Sequence, residues 1–188
     1  MKEFLIFFVI LTAILVVWII ALYNTIVRLK NRTKEAWSDI EVQLKRRHDL
    51  IPNLINSVKG YMTHEKELLE KITLARAGAL NSQKNNDTAQ LAKIENDLTG
   101  MLGKLQIAVE AYPDLKANTN VSNLMDELAD TENKIQAARR FYNTMVRDFK
   151  TKIETFPNNL IAEKLKTENF SYFEIEDKKE KENIEVKF

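Results

Sequence analysis

Apolar side chains recur along this chain in two regimes. Phe4 to Tyr23 is a run of twenty residues with Thr12 as its one polar side chain, enough at about 1.5 Å per residue to cross about 30 Å of hydrocarbon. From Trp37 the pattern becomes a heptad: Trp37, Leu44, Ile51, Val58, Glu65 and Ile72 form one row, and Ile40, Arg47, Leu54, Tyr61, Leu68 and Ala75 the other. A second stretch carries Leu91, Ile94, Leu98, Met101, Leu105 and Ala108, ending at Tyr112-Pro113. A third carries Val121, Leu124, Leu128, Thr131, Ile135, Ala138, Tyr142, Met145, Phe149 and Phe156, ending at Pro157. The pattern predicts an all-α fold: an N-terminal transmembrane helix continuing into an antiparallel, left-handed bundle of three long helices, 24–80, 89–111 and 119–156. The second helix is too short alone, so an extended Tyr112–Asn118 connector is expected to complete the return path. Leu160, Ile161, Leu165, Phe170, Tyr172 and Phe173 are expected to fold back over the stripe left open, as a fourth layer. The domains read as a membrane anchor over 1–23, a helical bundle over 24–175 and a charged, mobile tail over 176–188.

The apolar run is longer than the core of a cleaved signal peptide and no A-x-A pattern follows it, so it reads as an uncleaved anchor through residues 4–23. Trp18 and Tyr23 lie near its far end, where amphipathic rings favour the headgroup layer, and Arg28, Lys30, Arg32 and Lys34 follow. Only Lys2, offset by Glu3, precedes the run. Close bases resist translocation, which predicts a single-pass cell-membrane protein with a cytoplasmic bundle and anionic headgroups beside the four bases.

Composition narrows the chemistry. The 188 residues hold 28 Lys and Arg against 27 Asp and Glu, a net charge of +1 with no long-range field for a polyanion, so a nucleic-acid partner is not expected. The absence of cysteine removes disulfides, thiolate metal sites and a thiol nucleophile. His48 and His64 are the only imidazoles. Sixteen residues on one helix would place them about 160° apart, and His64-Glu65 has Leu68 where a second zinc-binding histidine would stand, so no metal or cofactor is expected. The KRR run at Lys45 to Arg47 spreads over about 200° of a helix and forms no concentrated patch.

Three features remain as polar or interaction candidates. Pro52 lacks the amide proton that would bond the His48 carbonyl, which predicts a kink or break there and frees that carbonyl as a notch for a ligand or partner peptide, or merely as the mark of a bend. Arg47 and Glu65 interrupt the core rows, so each should find a partner or reach solvent. If the third helix runs parallel to the first, with Leu80 level with Phe156, Arg47 meets Asp126 or Glu127 and Glu65 meets Arg139 or Arg140. Asp49 completes the polar cluster beside His48.

The strings VQLKRRHDLIPNLINSVKGYMTHE (42–65), AYPDLKAN (111–118), DTENKIQAARRFYNTMVRDF (130–149) and FPNNLIA (156–162) resemble the LemA family of bacterial membrane-anchored proteins. The resemblance runs from about Tyr23 to the C-terminal YFEIE and EVKF segments, and departs at Glu41, where the family more often has Asp, and at Phe149-Lys150, where it has Tyr-Asn. It implies a single-pass membrane protein with a helical-bundle domain and implies no established reaction. The function expected is a non-enzymatic scaffold or adaptor for other membrane or envelope proteins. The alternatives are a ligand-binding or hydrolytic protein using Lys45 to Asp49, and a sensor of lipid surfaces.

Overall fold

The computed structural model describes residues 1–164 and 167–173. Six helices follow one another: α1 Lys2–Val58, α2 Lys66–Lys84, α3 Thr88–Glu110, α4 Pro113–Lys116, α5 Thr119–Glu154 and α6 Asn158–Lys164. The all-α, bundle-like fold is the one the heptads predict. The expected 176–188 tail and Leu165 lie outside the described residues.

The helix expected to run to Leu80 instead stops at Val58. Gly60 stands two residues on, with open space where a Cβ would stand. The amides of Tyr61 and Met62 both turn back to the Val58 carbonyl, at 3.0 and 3.1 Å. Met62 drops fully buried into the core, while Tyr61, expected on the core row, is half exposed. The turn costs little because only a few backbone groups leave the helical ladder and Met62 buries an unbranched side chain that fits an irregular gap. Pro52, in contrast, sits inside continuous α1, so of the kink or break expected there the break does not occur, in keeping with the heptad phase that survives on both sides of it.

The chain divides into two compact units. One comprises 42–136 and, among the described residues, Phe173. In it the end of α1, then α2, α3 and the first half of α5 reverse direction at three successive connections, so α1 and α5 run antiparallel. The parallel arrangement expected from a three-helix count fails because the break at 59–65 adds a reversal. At about 1.5 Å per residue, α2 and α3 are about 28 and 35 Å long and match the flanking parts of α1 and α5 without an extended connector. That connector is instead the single turn α4, with Pro113 as its first residue and Leu115 fully buried. Ile51, Leu54, Val58, Met62, Leu69, Ile72, Leu98, Leu105, Val109, Leu115, Val121 and Leu128 form the core. Caps fix the helix starts: Asp87 accepts from the Gln90 amide at 3.0 Å at the head of α3, and Asn118 from the Asn120 amide at 3.0 Å at the head of α5.

The other unit comprises 1–41 and 137–172. Here too α5 runs antiparallel to α1: Thr33 lies against the Met145 carbonyl, Trp37 against Tyr142, and Ile26 in the cluster of Phe149. The C-terminal segment packs back, but onto α1 and the end of α5 within this unit instead of over the stripe expected beside the Tyr112–Asn118 connector. Ile161 and Phe170 cover the Leu22, Ile26, Phe149 and Ala162 cluster, Phe170 edge-on to Phe149 at 5.3 Å. Tyr142 donates to the Ser171 carbonyl at 2.9 Å, and Lys150 lies over the Tyr172 ring at 4.9 Å. Phe173 is buried. Leu160 and Phe156 do not take the expected inward positions and are 57% and 75% exposed.

Ile72 and Leu74 on α2 test the face it buries, since Ile72 is fully enclosed and Leu74 is 71% exposed. Ile72→Ala is expected to lower the urea-unfolding free energy by about 2–5 kcal/mol, and Leu74→Ala by no more than about 0.5 kcal/mol. Similar losses at both positions would mean that α2 is not seated as described.

Candidate functional site

The candidate site grows from Arg47. It stands in the heptad row between Ile40 and Leu54, both fully buried, so α1 carries its guanidinium into the core, where it is 1% exposed. An unpaired charge there would lose hydration without compensation. Two carboxylates meet it. Nη2 pairs with Glu95 of α3, and also lies 3.3 Å from the Glu95 carbonyl. Nη1 pairs with Glu132 of α5 and donates to the Thr99 hydroxyl at 2.8 Å. The Thr99 hydroxyl itself lies 3.0 Å from Glu132 and from the Glu95 carbonyl. One guanidinium therefore joins α1, α3 and α5.

His48 is the next residue and is equally buried. Its Nε2 lies 2.7 Å from the free oxygen of Glu95, so both Glu95 oxygens are engaged by α1. Burial by itself drives the Glu95 carboxyl upward, but the His48 hydrogen bond and the Arg47 charge outweigh it and hold it below the ordinary 4.5. The His48 carbonyl, freed by Pro52, accepts from Arg76 Nε of α2 at 2.6 Å. The proline thus opens an acceptor on α1 that α2 closes, and the notch is filled from within. Arg47 Nε, His48 Nδ1 and Gln43 Oε1 are buried without a hydrogen-bond partner among the described residues.

The pairings expected from sequence need correction. Arg47 meets Glu95 and Glu132 instead of Asp126 or Glu127, because the assumed register aligned Leu80 with Phe156 on a helix that ends at Val58. Asp126 and Glu127 are exposed, and Glu127 faces Arg46 at 3.7 Å, as does Asp130 at 3.5 Å. Glu65 is not on the core row of a continuous helix. It stands at the head of α2 and accepts from the Tyr112 hydroxyl at 2.8 Å, which raises the Tyr112 phenol above 10.0. Its expected partners belong to the other unit, Arg139 half-buried and Arg140 exposed. Asp49 and Lys45 are exposed.

Glu95, Thr99, Glu132, Arg76 and Tyr112 were not singled out from sequence. Glu95 left a signal: it lies four residues after Leu91 and three before Leu98, inside the apolar face of α3, as Arg47 does in α1. At the head of the chain, Trp18 and Tyr23 are exposed on an apolar helix that is a candidate membrane span. Lys30 and Lys34 meet Glu168, at 3.4 and 2.9 Å, while Arg28 and Arg32 are exposed.

Chemically the Arg47 cluster is a closed ion network. His48 and Glu95 are shielded, at 1% and 2% exposure, while Glu132, at 22%, and Thr99 are part-open. Glu132 and Thr99 border a cleft of about 250 Å³ between α3 and α5, lined also by Leu102, Gly103, Met125 and Leu128. Among the described residues no group of three or more His, Cys, Asp or Glu side chains is placed to hold a metal ion.

A model of the LemA family matches residues 36–188. Protein LemA of Metamycoplasma hominis is 30% identical over 171 residues, covering 91% of this chain and 77% of its own length. Magnetosome protein MamQ 1 and Magnetosome protein MamQ 2 of Paramagnetospirillum magneticum are each 24% identical over 163 residues, covering 74% of this chain. The chain spans 60% of the length of these two.

Two outcomes follow from the network. Arg47→Ala strands two carboxylates and is expected to cost about 3–5 kcal/mol in chemical unfolding, while Arg46→Ala, losing exposed pairs, costs at most about 1 kcal/mol. Equal small losses would show that Arg47 is solvated. Because the folded Glu95 carboxyl lies below 4.5, its contribution is fully present above that value and disappears as pH falls through the lowered one. The stability gap between the parent protein and Glu95→Gln should therefore narrow on acidification below 4.5, and a gap independent of pH would contradict the assignment.

Proposed function

Because the chain belongs to the LemA family, we propose that it works as a membrane-tethered helical scaffold or adaptor of the bacterial cell envelope, with no reaction of its own. The observation that supports this reading is the closure of the polar cluster: the groups that most resemble a reactive constellation, Arg47, His48 and Glu95, are engaged with one another and shielded from solvent. Buried charges held this way set which helices meet and in what register. What the 42–136 unit offers a partner is its outer surface, where Val42 of α1, Leu74 of α2 and Ile107 of α3 are 63%, 71% and 72% exposed. The apolar run before it supplies the tether, and the bases after that run support a cytoplasmic position for the bundle.

A ligand-binding role is the second reading, favoured by the α3–α5 cleft beside Glu132. Photocrosslinking side chains placed at Leu74 and Ile107 of the full chain in living cells separate the two. The scaffold reading expects the same few envelope proteins from both positions, at levels near that of the chain itself. Failure to capture any specific partner, together with a stoichiometric small molecule retained by the purified protein in native mass spectrometry, would replace it with the ligand reading.

A further inference from the structure

In the unit made of 1–41 and 137–172, the lowest point of the packed interior is fixed by four side chains. Leu22 and Ile26 of α1, 6% and 2% exposed, close on Phe149 of α5 and Ala162 of α6. Leu22 belongs to the apolar run that ends at Tyr23, and Ile26 precedes the first base, Arg28, by two residues. The cluster therefore lies at the level where hydrocarbon gives way to headgroups. Beyond Phe149, α5 continues to Glu154, antiparallel to α1 and so toward its apolar end. At about 1.5 Å per residue, the five-residue step from Phe149 to Glu154 carries α5 about 7.5 Å further toward that end, and Phe156 stands in the turn between α5 and α6.

Two large apolar side chains of this corner are turned outward. Phe156 is 75% exposed although it continues the heptad row of Tyr142 and Phe149, and Leu160, four residues on, is 57% exposed. Single exposed apolar residues are ordinary on a soluble surface. Here two stand in and just after the turn that follows α5's run toward the candidate span, on which Trp18 and Ile19 are 42% and 39% exposed. Around them Lys152 and Lys164 are balanced by Glu154 and Glu163, which leaves apolar insertion rather than charge as the means of contact.

We propose that the α5–α6 corner, through Phe156 and Leu160, is a second, shallow membrane contact that inserts into the headgroup–acyl boundary of the bilayer crossed by α1. The inference rests on reading 4–23 as a membrane span. The partner is the lipid surface itself, and continuity with the span fixes which surface. Such a contact holds the end of α5 against the membrane beside α1 and limits the swing of the packed segment about a single helical tether.

The chain has no cysteine, so single cysteines can carry nitroxide labels in the full protein, reconstituted in phosphatidylcholine nanodiscs. Phe156→Cys and Leu160→Cys test the corner, Leu11→Cys reports the span, and Ile107→Cys is an exposed apolar control in the other unit. The labels at 156 and 160 are expected to collide with dissolved oxygen more readily than the control and with an aqueous nickel complex severalfold less. Labels at 156 and 160 as open to nickel as the one at 107, with Leu11→Cys still protected, would overturn the proposal and leave the span standing. An aqueous label at position 11 would overturn both. Protection from oxygen and nickel alike, or spin broadening between copies, would show a protein covering the corner and would also overturn it.

Discussion

A cationic side chain taken out of water must be matched or the fold does not form, and the 42–136 unit is arranged around that requirement at Arg47. Satisfying a guanidinium on two sides needs carboxylates from two directions, and α3 and α5 supply them through Glu95 and Glu132. Glu95 then needs a second donor, which His48 provides from the next position on α1. Consecutive residues of a helix point about 100° apart, so Arg47 and His48 can reach one carboxylate only because Glu95 sits between their two directions. The position of α3 beside α1 is thereby fixed in rotation as well as in height.

The same stretch explains why a proline is tolerated in the middle of a long helix. A lost amide proton at Pro52 leaves the His48 carbonyl without its usual partner, and a buried carbonyl in that state is costly. Arg76 restores the bond from α2. This works only because α1 stops at Val58 and the chain returns as α2. The break at Gly60 and the continuity at Pro52 are thus linked: the turn makes α2 a neighbour, and the neighbour repairs the helix.

Within the other unit the logic is apolar. Leu22, Ile26, Phe149 and Ala162 close a small cluster at the end of the candidate span, and the Lys30 and Lys34 pairs with Glu168 lie on its exposed flank. Exposed pairs of this kind contribute little, about 0 to 1 kcal/mol each, so position here depends on the aromatic and aliphatic contacts. Two of the bases that sequence assigns to headgroups are shared with a carboxylate of the chain itself.

The sequence by itself determined the helical class, the apolar run at its head and the heptad rows, because each is a matter of local period and side-chain chemistry. It also determined that Arg47 would need a partner or a path to solvent, since its neighbours at heptad spacing are Ile40 and Leu54. The identity of that partner was decided only in three dimensions. Register between helices depends on where the chain reverses, and the reversal at 59–65 carries a weak local signal, one glycine in a polar stretch, beside a heptad phase that runs on through it. Once that turn was missed, helix count, chain direction and the partners of Arg47 and Glu65 shifted together. Glu95 was legible as a charge on an apolar face. That it would be shared between Arg47 and His48 was a property of the packed helices alone.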